Sequence, residues 1–367
     1  MVKRCVSCFI FSLILLFFSC KHNKQPCSLQ SVSKKTNNIE VKVDPNVELM
    51  MIIGRLAGAV PYNFINQKAV QYINEIDTYF EHYKLEPVIE STKKNNLNYG
   101  SLPEFGMYMN KDISGFILDL NNKNFKIQGR NDIPAKKIGY YASNQYLDEI
   151  RDFKVKSNFD KFFENHRNLY EVMIEDIVTI LIESEFNKWL ETFYGYKIKE
   201  NKCVYVSFLT GGGNFGLSIY NSKGTPIPHI VVYAGETKNM YLYLISHEFL
   251  HPCTLKMCEE LYQNEKIQNI FNNLLFKNSS MYISHGYSSG FALLNETITQ
   301  ACANKFLERQ LPESTMNLLV EKEIVEYQQF IYVPQIASYF DDYIINRKKY
   351  KTLNEFIPKL EEYIEDL

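Results

Sequence analysis

Apolar residues recur every three to four positions through much of residues 41–200, the spacing of a helix that buries one face. The clearest case is Ile174–Leu190 (IEDIVTILIESEFNKWL), which contains the only tryptophan, Trp189. Similar patterns cover Val47–Leu56 and Ala69–Tyr83. We therefore expect residues 41–200 to form a mainly helical N-terminal region.

The spacing of apolar residues changes at Lys202. Three short runs rich in β-branched and aromatic residues follow, with Gly, Asn and Pro between them, and they predict β-strands. The runs are Cys203–Leu209 (CVYVSFL), Phe215–Tyr220 (FGLSIY) and His229–Ala234 (HIVVYA). Helical spacing then returns and continues to the C-terminus. The sequence predicts an α+β region over residues 201–367, in which a small sheet precedes a long helix.

The first twenty residues have the pattern of an export signal. A short basic start is followed by an apolar run, Cys5–Phe18, of about fourteen residues, which is too short to span a membrane comfortably. Its ending, Phe17-Phe18-Ser19-Cys20, resembles a bacterial lipoprotein cleavage box, in which the cysteine becomes the lipidated first residue of the mature protein. We expect residues 1–19 to be a lipoprotein signal peptide and Cys20 to be the lipidation site.

Residues 20–40 are polar and basic without periodicity, and we interpret them as a flexible tether. An uncleaved N-terminal anchor is the alternative to lipidation at Cys20. In both cases we expect the folded part to lie in the bacterial cell envelope, held at a membrane by its N-terminus. The sequence does not indicate on which face of the membrane the protein lies.

Composition limits the class of protein. The chain has a net charge of −2, and loss of Lys3 and Arg4 with the signal peptide makes it −4, so charge gives no reason to expect nucleic-acid binding. With 46% hydrophobic residues the chain can bury a large core, as one large domain or two. The cysteines after Cys20 are irregularly spaced and do not resemble a disulfide framework.

The strongest chemical signal is Tyr241–Pro252 (YLYLISHEFLHP). On a helix, His247 and His251 are four residues apart and leave the same face, with Glu248 beside the first of them. This is the zincin arrangement, in which two neutral imidazoles bind Zn²⁺ and a carboxylate takes a proton from a metal-bound water. The alternative is a helix whose two histidines are only hydrogen-bonded near a surface.

Together with Asn295-Glu296 on a later helix, the motif His247-Glu248-x-x-His251 resembles the gluzincin metallopeptidases, such as thermolysin and the aminopeptidases. The resemblance covers roughly residues 202–310. The whole chain also looks like a family of predicted bacterial lipoproteins with a zincin-type motif. The resemblance implies a mostly helical, thermolysin-like α+β domain with a small mixed sheet before the active-site helix, and an edge strand that pairs with extended substrate.

By that resemblance, His247, His251 and Glu296 would bind zinc and Glu248 would act as general base. The chain departs from the family at Pro252, because proline restricts the preceding residue and removes a backbone donor. We therefore expect the helix to change direction after His251.

The residues around Glu296 also favour its role as third ligand. Glu296 lies in the otherwise apolar opening of a predicted helix, Phe291–Arg309. A carboxylate on a buried helix face needs a partner, because an unpaired buried charge is costly. A structural ion pair with a Lys or Arg is the alternative.

A zinc peptidase also needs a donor to the developing oxyanion. In the enzymes that the chain resembles, a Tyr or His near the third ligand commonly fills this place. The candidates are His285, Tyr287 and Tyr332, and we select His285.

These observations predict a membrane-anchored, zinc-dependent metallopeptidase that hydrolyses a peptide or protein substrate through a metal-activated water. The alternative is a non-enzymatic, envelope-binding lipoprotein with a structural or vestigial zinc site. A structural zinc site is normally closed by four protein ligands, commonly including Cys, whereas three N/O ligands beside a carboxylate favour an open catalytic site.

Overall fold

The computed structural model describes residues 29–60, 67–98, 100–117, 138–198, 201–210, 214–220 and 226–367. The predicted signal peptide and Cys20 lie outside these residues. Five strands form one sheet: β1 (Val32–Thr36), β2 (Ile39–Val43), β3 (Lys202–Ser207), β4 (Phe215–Tyr220) and β5 (Pro226–Tyr233).

Helices make up most of the fold. Those before β3 are α1 (Pro45–Leu56), α2 (Gln67–Tyr79), α3 (Pro87–Lys94), α4 (Ser101–Tyr108), α5 (Tyr140–Lys156), α6 (Phe159–Asn165), α7 (Arg167–Glu183) and α8 (Phe186–Tyr194), with a 3₁₀ turn at Glu81–Tyr83. Those after β5 are α9 (Lys238–Leu261), α10 (Glu265–Lys277), α11 (Ser279–Ser284), α12 (Gly290–Leu307), α13 (Glu313–Leu318), a π-helix (Leu319–Tyr327), α14 (Val333–Ile345) and α15 (Leu353–Glu365). Within the described residues, we find no helix with the length and apolar character that crossing a membrane requires.

The sheet is mixed, with strand order β1-β2-β3-β5-β4. The central pairs β2–β3 and β3–β5 are parallel, whereas β1 and β4 are antiparallel edge strands. This confirms the predicted α+β class, mostly helical with a small mixed sheet. The sheet presents β4 as its edge beside α9.

The prediction of a flexible tether as far as residue 40 is wrong at its C-terminal end. Strand β1 and the start of β2 lie within it, and Val41 of β2 pairs with Val204 of β3. The basic residues that suggested a tether, Lys34 and Lys35, are exposed on β1, where charge on an edge strand discourages pairing with other chains.

The predicted division at residues 200 and 201 does not separate two folding units. The sheet takes β1 and β2 from the N-terminal region and its other strands from the C-terminal region. A single hydrophobic core contains buried residues from both regions. We infer that the two regions fold as one unit.

Helix α9 carries the predicted metal-binding motif and packs against α12, β4 and β5. Thr237 caps its N-terminus by accepting a hydrogen bond from the amide of Met240 at 3.3 Å. The helix is not interrupted after His251, since α9 continues through Pro252 to Leu261. Pro252 cannot donate to the carbonyl of Glu248, but buried contacts at Leu250 and Leu261 stabilise the helix on both sides of it.

A buried polar cluster connects α1 with the sheet. Glu48 is 1% exposed and accepts hydrogen bonds from the hydroxyls of Tyr72 at 2.7 Å and Ser207 at 2.9 Å. The Tyr72 and Tyr170 hydroxyls are 2.7 Å apart. Burial raises the pKa of Glu48 from 4.5 to about 7, although both hydrogen bonds and the nearby His166 oppose the rise.

We expect this carboxyl to make stability fall as pH rises. Between its unfolded pKa of 4.5 and its folded pKa of about 7, Glu48 keeps its proton in the native state and loses it on unfolding. The native state is therefore favoured at low pH, and this advantage disappears as pH rises through that window. Denaturant unfolding should show wild type losing stability relative to Glu48→Gln as pH rises from about 4.5 to about 7. A difference between the two proteins that stays constant with pH would contradict this.

Candidate metal centre

His247 and His251 project from the same face of α9. Their Nε2 atoms are 3.1 Å apart, and the ring planes are nearly perpendicular, at 87°. His247 is buried and His251 is half-buried. Helical spacing of four residues produces this pair directly, as the sequence predicts.

Glu296 on α12 faces both imidazoles. Its Oε1 lies 3.2 Å from Nε2 of His247, and its Oε2 lies 3.5 Å from Nε2 of His251. The side chain reaches them because α12 packs directly against α9. Glu296 is only 5% exposed. Its ion-pair partners in the described part of the chain are these imidazoles rather than a Lys or Arg, which was the alternative.

The three groups have a spacing that suits a tetrahedral metal ion. A four-coordinate zinc ion with ligands at about 2.1 Å would hold its ligand atoms about 3.4 Å apart. The observed separations of 3.1, 3.2 and 3.5 Å are close to this value. Two imidazole nitrogens and one carboxylate also form a ligand set that zinc favours. His247, His251 and Glu296 therefore fit a zinc ion.

Glu248 supplies a second carboxylate beside the histidines. Ligand atoms of His247, Glu248 and His251 all lie within 4.8 Å of one another, so Glu248 is itself near enough to be considered as a ligand. Glu296 contacts both imidazoles, at 3.2 and 3.5 Å, and is carried forward as the candidate third ligand. Glu248 is half-buried and lines the cleft, where it can accept a proton.

The environment of His247 favours the neutral imidazole. Burial lowers its pKa, and the nearby positive charge of a protonated His251 would lower it further, while the charge of Glu296 opposes both. A metal ligand must be the neutral imidazole, so this shift favours metal binding at neutral pH. Nδ1 of His247 is buried and has no hydrogen-bond partner within the described residues, so packing, including the Tyr243 ring at 5.7 Å, orients the ring.

His251 is oriented by α12. Its Nδ1 lies 2.9 Å from Oδ1 of Asn295 and 3.4 Å from the Thr299 hydroxyl. With Nδ1–H donating to Asn295, the unprotonated Nε2 points towards Glu296. Metal-binding histidines commonly have such a partner on the second ring nitrogen.

A short hydrogen-bonded chain fixes the Glu296 carboxylate. Nε2 of Gln300 donates to its Oε1 at 3.0 Å, and the Tyr243 hydroxyl donates to Oε1 of Gln300 at 3.0 Å. Sequence reasoning missed the roles of Asn295, Gln300 and Tyr243. The only signal was spacing, since Gln300 is one helical turn after Glu296.

Of the three candidate oxyanion donors, only Tyr287 lines the cleft. Its pKa is raised by burial and by the negative charge of Glu296, to which it is hydrogen-bonded. His285, the residue selected from the sequence, is exposed and packs against Tyr327 at a ring distance of 5.9 Å. Tyr332 packs against Phe271.

The structure therefore places Tyr287, and not the selected His285, at the cleft. His285 ends α11 at the surface, and Gly286 then reverses the chain with φ of +93°. Tyr287, the residue after Gly286, lines the cleft. The turn at Gly286 places His285 and Tyr287 in different surroundings, although they are two residues apart. No local sequence pattern indicates which of the two lines the cleft.

The metal centre opens into a cleft of about 440 Å³. Strands β4 and β5 form one side, with Gly216, Leu217 and His229 among the lining residues. His229 donates from Nδ1 to the carbonyl of Ile227 at 2.7 Å, and burial lowers its pKa to about 4, so the ring is neutral at pH 7. Its place in the cleft was not predicted.

Gly216 on β4 lies directly over Glu248. A Cβ atom at residue 216 would be 2.7 Å from Oε2 of Glu248, which is closer than side chains tolerate. The edge strand can approach the carboxylate this closely only because residue 216 is glycine.

We expect Gly216→Ala to displace the Glu248 carboxylate without unfolding the protein, because a flexible side chain can move away. Peptide hydrolysis should fall by about tenfold or more, since small misplacements of catalytic groups are costly. Zinc content and melting temperature should stay near those of wild type. Gly115→Ala, whose Cβ would make an ordinary 3.6 Å contact, is the control. Unchanged hydrolysis in Gly216→Ala would show that the position of Glu248 does not matter.

The fold and the site together define an α+β protein with a cluster of two histidines and two glutamates that could hold a metal. A family model described as a domain of unknown function (DUF4932) matches residues 39–362. Since the match covers most of the chain, the protein belongs to this family. No curated protein and no solved structure matches the chain.

Proposed function

We propose that the protein is a zinc-dependent metallopeptidase with a gluzincin-type site. The observation that carries the proposal is the convergence of His247 Nε2, His251 Nε2 and the Glu296 carboxylate, with separations of 3.1 to 3.5 Å, at an open cleft. Three N/O ligands would leave one position of a tetrahedral ion open for substrate or water, which is the pattern of catalytic rather than structural zinc sites.

Each residue then has a defined task. A bound zinc ion would supply Lewis-acid chemistry, polarising the scissile carbonyl and acidifying water. Glu248 takes the proton from the attacking water and passes it to the leaving nitrogen. Tyr287 is the candidate donor to the oxygen that becomes negative, because its hydroxyl already contacts Glu296 beside the imidazoles.

The edge strand suggests how a substrate would bind. Among the residues that the structure describes, strand β4 pairs only with β5, so its other edge offers backbone N–H and C=O groups next to the cleft. An extended peptide could pair with this edge by strand addition, as the resemblance implies. Hydrogen bonds to the peptide backbone would place a scissile bond over Glu248.

Attachment to the cell envelope is part of the proposal and depends on the sequence alone. Lipidation at Cys20 would hold the catalytic region at a membrane surface, where its substrates would be peptides or proteins of the envelope.

Metal analysis with a peptide assay tests the proposal. We expect purified full chain to contain one zinc per molecule by elemental analysis and to hydrolyse members of a mixed peptide library. A chelator should abolish hydrolysis, and added zinc should restore it. One bound zinc with no hydrolysis of any peptide would instead support the alternative, a binding lipoprotein with a structural or vestigial site.

A further inference from the structure

A second cavity lies away from the cleft residues. It is a groove of about 770 Å³ between the C-terminal half of α12, the π-helix and α14. Apolar side chains form much of its surface, including Leu311, Met316 and Val320. This volume is in the range of small-molecule and side-chain binding sites. None of the proposed zinc ligands lines it.

Asn304 lines this groove with an unused hydrogen-bond acceptor. The residue is 2% exposed, and its Oδ1 is buried without a hydrogen-bond partner within the described residues. Buried polar atoms are nearly always paired, and leaving one unpaired is costly. The arrangement becomes favourable if a ligand in the groove donates a hydrogen bond to Asn304.

The charges around the groove indicate the sign of that ligand. Five carboxylates line it: Glu308, Glu313, Glu321, Glu326 and Asp341. Among the described lining residues the only cation is Lys305, which already forms ion pairs of 2.7 Å with Glu308 and Asp341. Glu326 pairs with Lys322, whereas Glu313 and Glu321 have no ion-pair partner in the described part of the chain. The groove therefore has an excess of negative charge and favours a cation.

The wall of the groove is an unusual backbone structure. Leu319–Tyr327 forms nine residues of π-helix, and Val320, Glu321, Val325 and Glu326 from it line the groove. π-Helical turns are rare and are found frequently at functional sites. Here the π-helix brings both apolar and acidic side chains to the same cavity.

We propose that this groove binds an amphiphilic organic cation, an ammonium or guanidinium group on an apolar stem. The head group donates to Oδ1 of Asn304 and is balanced by the carboxylates, while the stem packs on Leu311, Met316 and Val320. A lysine or arginine side chain of a peptide has this chemistry, and so does a free alkylamine. The groove and the metal-centre cleft share no lining residue.

Calorimetric titration of the full chain at low salt tests the site. Hexylammonium is the first probe. Hexanoate and hexanol are the controls, because they keep a chain of six carbon atoms and replace the positive head group with a negative or a neutral one. The second probe is a blocked peptide with one lysine among leucines and alanines, compared with the same peptide carrying norleucine instead. We expect hexylammonium to bind and both controls to bind much more weakly. The lysine peptide binding more tightly than hexylammonium would identify a peptide as the source, and the reverse order would identify a free amine.

Variants assign the binding to the groove. Asn304→Leu should weaken hexylammonium binding by about tenfold, because a hydrogen bond to a charged donor is lost. Glu321→Gln should weaken it by about threefold at low salt and less at high salt. Glu323→Gln is the matched control, since Glu323 is exposed on the same π-helix but does not line the groove. Failure of both cationic probes to bind, or equal binding in wild type, Asn304→Leu and Glu321→Gln, would overturn the proposal.

Discussion

Replacing Glu248 with glutamine is expected to lower peptide hydrolysis by about 10²- to 10⁴-fold, the usual contribution of a general base. The carboxamide keeps the shape of the side chain but cannot accept the proton. Zinc content should remain near that of wild type, because the proposed ligands are His247, His251 and Glu296. The fold should also be retained, since Glu248 is half-buried and α9 is held by its packing against α12 and the sheet.

Two measurements check this expectation. The kcat/KM for a peptide selected from the library gives the loss of activity, and elemental analysis gives the zinc content of the same preparation. Glu259→Gln is the control, because Glu259 is exposed on the same helix and does not line the cleft. Wild-type turnover in Glu248→Gln would show that this carboxylate has no part in the chemistry.

The sequence predicted the parts of the site that follow from one helix at a time. His247 and His251 meet because residues four apart share a helix face, and this needs no knowledge of the rest of the fold. Glu296 could be proposed because a carboxylate in an apolar helix opening needs a partner. The structure brings it to the two imidazoles. Its contacts with both could not be read from the sequence, because they depend on how α12 packs against α9.

Features that depend on tertiary contacts were missed for the same reason. Asn295 and Tyr243 contribute to the site only after two helices have packed together. Strand β2 pairs with β3 about 160 residues later, and no local pattern indicates that partner or its register. The short, basic β1 was interpreted as tether because composition alone does not distinguish an exposed edge strand from a flexible segment.

Pro252 shows how packing can overrule a local preference. Proline inside a helix removes one backbone hydrogen bond and normally kinks or breaks the helix. In α9 the residues on both sides of Pro252 are buried against other elements, and the helix continues for nine residues beyond it, to Leu261. Glu259 and Glu260 lie on this continued part of the helix, are exposed and do not line the cleft.

Removing the Glu296 carboxylate should have the second large effect, on zinc binding itself. Glu296→Gln and Glu296→Ala are each expected to weaken zinc affinity by about a hundredfold or more, since even partners of metal ligands contribute about 10- to 100-fold. The Gln variant keeps the shape of the side chain and can still contact Gln300, so its apo form should unfold at nearly the same temperature as apo wild type. The Ala variant leaves a cavity and should be less stable.

Competition with a chelator measures the affinities, and thermal unfolding with and without zinc separates metal binding from folding. Glu308→Gln is the control, because Glu308 is exposed at the end of α12, away from the imidazoles. Both Glu296 variants retaining zinc at wild-type affinity would exclude Glu296 as a ligand. If Glu248→Gln then lost zinc instead, the two carboxylates would exchange roles, because Glu248 lies within 4.8 Å of the same histidines. The paired variants therefore decide which glutamate binds the metal and which accepts the proton.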